Sequence, residues 1–181
     1  MEFENILELL YGNIYNYEGT RLMKELFNNN EKFRNIIVEG IRLRKINVFT
    51  DELLEKIENQ IIYIPNAPST LELFKNGKNI GSCTAASVQV SYSFPDDCEI
   101  AGGVMDYLKG TDGSIDGSHT WIVCKNKIYD TTFMVSIDLD YAKKMGYKQE
   151  NIYRPASRES YYMRKEMVNG YDLPVKGTKS K

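Results

Sequence analysis

Two apolar periodicities divide this chain, and the point where one replaces the other limits it to folds that lay helices on a sheet. Ile6, Leu9, Leu10 and Ile14 recur at three- to four-residue spacing, and so do Leu22, Leu26 and Phe27. That is the spacing of an amphipathic helix face. Asn28-Asn29-Asn30 interrupts it, and Phe33, Ile36, Ile37 and Ile41 resume it. Thr50-Asp51-Glu52 reads as a helix start ahead of Leu53, Leu54, Ile57 and Ile61. Residues 1–60 therefore read as helical, and Pro65 and Pro68 end the stretch. Past Pro95 the pattern becomes β. The expected class is α+β, an N-terminal helical layer packed on a small antiparallel sheet.

Between the two regimes, residues 66–82 read as a loop with a short helical piece at Leu71-Glu72-Leu73-Phe74. Ser82 to Tyr92 is predicted helical, with Cys83 in its first turn and the small Thr84-Ala85-Ala86-Ser87 behind it. Asp96 and Asp97 read as turn formers. Glu99 to Leu108 follows as a strand whose Gly102-Gly103 pair suggests a bulge or a close backbone approach. Residues 109–118, rich in Gly, Asp and Ser, read as a flexible loop. His119 to Cys124 and Lys127 to Asp130 then read as two short strands of a β-hairpin around Asn126. Such a hairpin places His119 and Asp130 at the same end of adjacent strands. A short helix over Asp138 to Met145 stopped by Gly146, a strand at Asn151 to Arg154 and a helix from Ser157 to Val168 complete the reading. The expected organisation is one domain over 1–175, with a helical layer in 1–65, a catalytic core in 66–175 and a flexible tail over 176–181.

At 181 residues the chain is long enough for one domain with a core of its own. A net charge of −2 gives no electrostatic case for nucleic acid or an anionic membrane as partner. No apolar run approaches the ~20 residues that span a bilayer, and the acidic start Met1-Glu2-Phe3-Glu4 lacks a secretory layout. These features point to a cytoplasmic protein. Three cysteines, an odd number without close spacing, do not resemble a disulfide framework, so Cys98 and Cys124 read as small hydrophobes. One histidine cannot complete a Cys/His zinc site, so neither a metal nor any other cofactor is expected.

The chemistry-bearing residues stand in a fixed order. Cys83 lies in Gly81-Ser82-Cys83, the sole histidine in His119-Thr120-Trp121-Ile122, and a carboxylate in Asp130-Thr131-Thr132. A thiol becomes a strong nucleophile near neutral pH when a neighbour stabilises its thiolate, which a helix N-terminus and an imidazole both do. The imidazole needs a third group to fix its tautomer and ring orientation, and a carboxylate serves. Trp121, two residues from His119 on the same strand face, reads equally as core filling and as a wall of the site. Tyr129, beside Asp130, alternates to the opposite face.

This combination resembles the transglutaminase-like branch of the papain-like cysteine enzymes. A typical core there reads Gly-x-Cys, a glycine-bearing strand, His-Ala-Trp-Val and Asp-Pro-Thr. The corresponding residues are Gly81-Ser82-Cys83, Ala101-Gly102-Gly103-Val104, His119-Thr120-Trp121-Ile122 and Asp130-Thr131-Thr132. The resemblance covers residues 80–135 and implies Cys83 as nucleophile, His119 as its base and imidazolium partner, and Asp130 as orienting carboxylate. Thr131 replaces the usual proline, and the His-to-Asp separation is short for the group. Gly77 stands where papain relatives carry the oxyanion glutamine, leaving Asn76 and Asn79 as the nearby side-chain amides. Small members of the group are more often hydrolases than cross-linkers. The expected activity is thus a cysteine peptidase or amidase, or an acyltransferase, acting on a peptide, protein or small acyl substrate. The alternatives are an inactive binding module on the same fold, or an interaction protein working through its helical half.

Overall fold

A computed structural model describes residues 5–59, 69–95 and 98–153. The N-terminal part is helical where the apolar spacing predicts it: α1 (Ile6–Tyr11), α2 (Arg21–Asn29) and α3 (Glu31–Arg42). Asn30 both ends α2 and caps α3, its side chain accepting from the Phe33 N–H at 3.0 Å. After strand β1 (Ile46–Val48), α4 (Asp51–Glu58) starts at Thr50, whose hydroxyl accepts from Leu53 N–H at 3.1 Å. Next come α5 (Thr70–Lys75), capped by Ser69, and α6 (Cys83–Ser91).

The described strands form one antiparallel sheet. β2 (Glu99–Met105), β3 (Ser118–Cys124), β4 (Lys127–Asp130), β5 (Val135–Asp138) and β6 (Tyr147–Tyr153) join β1 in the order β1-β5-β4-β3-β2-β6. A four-residue helix α7 (Leu139–Ala142) follows β5. The class is α+β. Helix residues Leu22, Met23, Phe27, Phe33 and Ile37 share one core with Trp121, Ile128, Val135 and Ile137 of the sheet.

Two features of the sheet set the site. The β3–β4 turn places Lys125 and Asn126 at φ 49° and 62°, both left-handed, as a two-residue hairpin turn requires. Its register pairs Val123 with Ile128. Two residues further along each strand, Trp121 and Asp130 share that face, and His119 follows on it. In β2 the pairing to β6 slips between Gly102 and Gly103. A Cβ at Gly103 would stand 2.0 Å from the Lys148 carbonyl oxygen. Backbone crowds the position, so glycine is required there.

Several expectations need correction. The stretch read as wholly helical contains β1, too short to impose a period of its own, whose partner β5 lies 91 positions downstream (Ile46 with Ile137). The helix expected over Asp138 to Met145 shrinks to α7 because Val135–Asp138 is strand β5. The last strand begins at Tyr147, not Asn151. The loop expected to be flexible is folded on itself: Gly110 N–H donates to Ile115 O at 3.0 Å, and Asp112 pairs with Arg21 of α2. Cys98 and Cys124 are a disulfide, their Cα atoms 4.7 Å apart across β2 and β3. The Glu99–Val123 pairing one step inward puts them opposite each other, which only the sheet register reveals. This corrects the reading of both cysteines as small hydrophobes outside any disulfide. Pro65, Pro68, Asp96, Asp97, the helix expected at 157–168 and the tail at 176–181 lie outside the described residues. No helix among the described residues is long and apolar enough to cross a membrane.

Thiol titration of the unreduced, denatured chain is expected to count one free cysteine, rising to three after reduction. Replacing Cys98 and Cys124 with serine should lower Tm by on the order of 10 °C, from the entropy of the 26-residue loop they close. Gly103→Ala should cost about 1–3 kcal/mol in denaturant unfolding, because a backbone carbonyl must move to admit the methyl group. An unchanged midpoint would mean that the bulge adapts freely.

Candidate active site

The site is built from one helix and three strands. β3 supplies His119, 2% exposed, and the end of β4 supplies the fully buried Asp130. The register puts them diagonally on one face, and His119 Nε2 lies 2.7 Å from Asp130 Oδ2. Asp130 is also a local turn former. Its Oδ1 accepts the backbone N–H groups of Thr132 at 2.8 Å and Phe133 at 3.3 Å, which an aspartate does readily just past a strand end. The carboxylate's orientation is therefore fixed by its own turn before the imidazole meets it.

Cys83, partly buried and the free cysteine of the chain, opens α6. The first N–H groups of a helix have no intrahelical acceptor and carry the positive end of its dipole. Thr120, next to His119, faces α6: its hydroxyl lies 2.9 Å from that of Thr84, and its carbonyl accepts from the Ser87 hydroxyl. The backbone and hydroxyl of Thr120 also help to hold the Cys83 thiol down. Thr84 and Thr120 thus dock α6 on β3, a role that carries no sequence signal of its own.

The electrostatics run in one direction. Burial pushes the Cys83 thiol up, but the hydrogen bond and charge of His119, with the Thr120 groups, outweigh it and leave the thiol below its ordinary value. Burial pulls His119 down, and the charge and hydrogen bond of Asp130, followed by those of Cys83, more than reverse this and raise it to about 10. The other ring nitrogen, Nδ1, makes no hydrogen bond of regular geometry, yet Cys83 lies close enough for its proton and charge to act on the ring. A thiolate–imidazolium pair is the protonation state this arrangement favours.

The remaining predicted residues fall into two groups. Trp121 is buried beside His119, ring centroids 5.8 Å apart, so it walls the imidazole from within the core. Tyr129 lies on the other face against Phe49 and Phe94. Asn79 is 1% exposed, and its amide donates to the carbonyls of Gly19, Thr131 and Thr132. It ties the Asp130 turn to the helical region and has no N–H left for an oxyanion. Asn76 caps the exposed end of α5 and bonds Glu72. The structure thus gives both amides other work.

Tyr147 was not singled out from the sequence. It stands at the start of β6, and its hydroxyl donates to Asp130 Oδ2 at 2.5 Å. No residue spacing connects positions 130 and 147, and β3 and β2 stand between their strands in the sheet.

Searches against protein-family models, curated proteins and solved structures match nothing to this chain. The site must be judged on its own chemistry.

Two outcomes follow from the His119–Asp130 pair. Its only histidine gives the chain a single imidazole NMR signal, whose titration midpoint should fall from about 10 toward 6.5 in Asp130→Asn. Because the folded value lies above the unfolded one, this pair's stabilisation is complete below pH 6.5 and is lost as pH rises to about 10. Unfolding free energy measured by denaturant over that window should decline in the wild type and flatten in Asp130→Asn.

Proposed function

We propose that the protein is a thiol-dependent hydrolase or acyltransferase using Cys83, His119 and Asp130, in the manner of transglutaminase-like and papain-like cysteine enzymes. The observation that carries this reading is a helix-start thiol held down by the hydrogen bond and charge of His119, whose buried imidazole is paired with a carboxylate locked by its own turn. A structural cysteine needs no such partner, and a structural histidine is not usually poised between a thiol and a carboxylate.

The steps follow from those groups. Cys83 thiolate adds to the carbonyl carbon of an amide or ester, forming a carbon–sulfur bond and a tetrahedral oxyanion. Backbone N–H groups in the first turn of α6, that of Cys83 among them, are the donors on hand for it. The oxyanion collapses as imidazolium of His119 gives its proton to the departing amine or alcohol, leaving a thioester. Neutral His119 then takes a proton from water or an acceptor amine as that nucleophile attacks the thioester. Hydrolysis or acyl transfer results, and the thiolate–imidazolium pair is restored. The substrate class is a peptide, protein or small amide or acyl donor.

Pulsed iodoacetamide labelling of the folded chain across pH, read by mass spectrometry, tests the activated thiol. Cys83 is expected to label with an apparent pKa below the ~8.5 of a free thiol. In His119→Ala that value should return toward the free-thiol range and the neutral-pH rate drop by at least about tenfold. Turnover of amide and ester libraries should vanish in Cys83→Ala and fall on the order of 10²–10⁴-fold in His119→Ala. Normal labelling with no turnover on any substrate would favour a binding module. Slow labelling indifferent to residue 119 would remove the enzyme reading altogether.

A further inference from the structure

Tyr147 is buried, and its hydroxyl shares Asp130 Oδ2 with the imidazole: 2.5 Å from Tyr147, 2.7 Å from His119 Nε2. The other oxygen is occupied by the Thr132 and Phe133 N–H groups. Four donors therefore surround one carboxylate. The tyrosine ring is held in turn, edge to face on Trp121 at 5.2 Å and 6.2 Å from the His119 ring. Burial first, then the charge of Asp130, pushes the Tyr147 phenol well above its ordinary range. It keeps its proton throughout the working range and acts as a donor, never as a base.

A donor bound to a carboxylate stabilises its negative charge and lowers its affinity for any other proton. Acting alone on Asp130, His119 would face the full charge of the carboxylate on one side and a thiolate on the other. Both hold the imidazolium proton, and an imidazolium held too firmly is a poor acid toward a leaving group. The groups facing this centre are Cys83 from α6, Asp130 from β4, Tyr147 from β6 and Tyr11 from α1, the last with its hydroxyl turned to the Phe133 carbonyl at 2.6 Å. β2 faces His119 with Gly103, which has no side chain. Of these, Tyr147 alone donates a side-chain hydrogen bond to the oxygen that His119 uses.

We infer that Tyr147 is a positioning residue for the Cys83–His119–Asp130 chain, fixing Asp130 through its hydroxyl and drawing off part of the charge that the carboxylate presents to His119. Its purpose rests on the proposed cysteine chemistry, whereas its effect on His119 does not.

The experiment uses the full chain with labelled histidine, whose single imidazole resonance is titrated in wild type and in Tyr147→Phe. Loss of the hydroxyl is expected to raise the His119 midpoint by about one pH unit, the size of one hydrogen bond to a charged group. A 3,5-difluorotyrosine placed at position 147, a stronger donor of nearly the same shape, is expected to lower it. This second chain decides the matter if Tyr147→Phe does not fold. A midpoint that stays put or falls in folded Tyr147→Phe, or stays put or rises in the fluorinated chain, overturns the inference and leaves Tyr147 as packing. The readout is independent of Cys83 labelling and turnover. A shifted midpoint in a chain with an inert thiol would refute the enzyme and keep the tyrosine's role.

Discussion

Placing an imidazole and a carboxylate together in an apolar interior strips both of water, a loss that only close mutual contact and further hydrogen bonds can offset. The His119–Asp130 pair meets that condition, and much of the surrounding architecture answers to it. The β3–β4 turn sets the register that puts both side chains on one face. The Asp130 turn spends two backbone N–H groups on the carboxylate, and Asn79 fastens that turn to the helical region. Trp121 and Tyr147 exclude water from the pair's flank. Remove the carboxylate and the imidazole becomes a buried, poorly satisfied base. The thiol of Cys83 then loses the positive neighbour that makes it more than a half-buried cysteine.

Local signals account for what the sequence makes legible. The helices α2, α3 and α4 are short-range objects, written in apolar spacing and in cap residues such as Asn30 and Thr50. The hairpin is equally local, because Lys125 and Asn126 can adopt the left-handed backbone that the turn demands. Since Cys83, His119 and Asp130 each lie in or beside such an element, their order could be read without a structure. The hairpin also brings His119 to Asp130, but the approach of Cys83 to them could not be read. It depends on α6 docking against β3 through Thr84, Ser87 and Thr120, whose hydroxyls look like any others in a sequence.

Whatever depends on distant pairing stayed hidden. β1 and β5 have little identity apart from each other, being three and four residues long. The Cys98–Cys124 bond follows from the β2–β3 register, which a large loop separates from any turn signal. Asn79 looked like a spare amide near the nucleophile because spacing alone says nothing about burial. Tyr147 is the strongest case, for it reaches the carboxylate from the far edge of the sheet.

That edge position gives the site an order in time. A ribosome delivers Cys83 first, then His119 and Asp130, and only afterwards Tyr147 with the strand that carries it. A nascent chain that has closed the β3–β4 hairpin already holds Cys83, His119 and Asp130. What it lacks is β5 and β6, the second being the strand whose Tyr147 donates to Asp130. Along the chain, then, Cys83, His119 and Asp130 all precede the strand whose tyrosine completes the hydrogen bonding of that carboxylate.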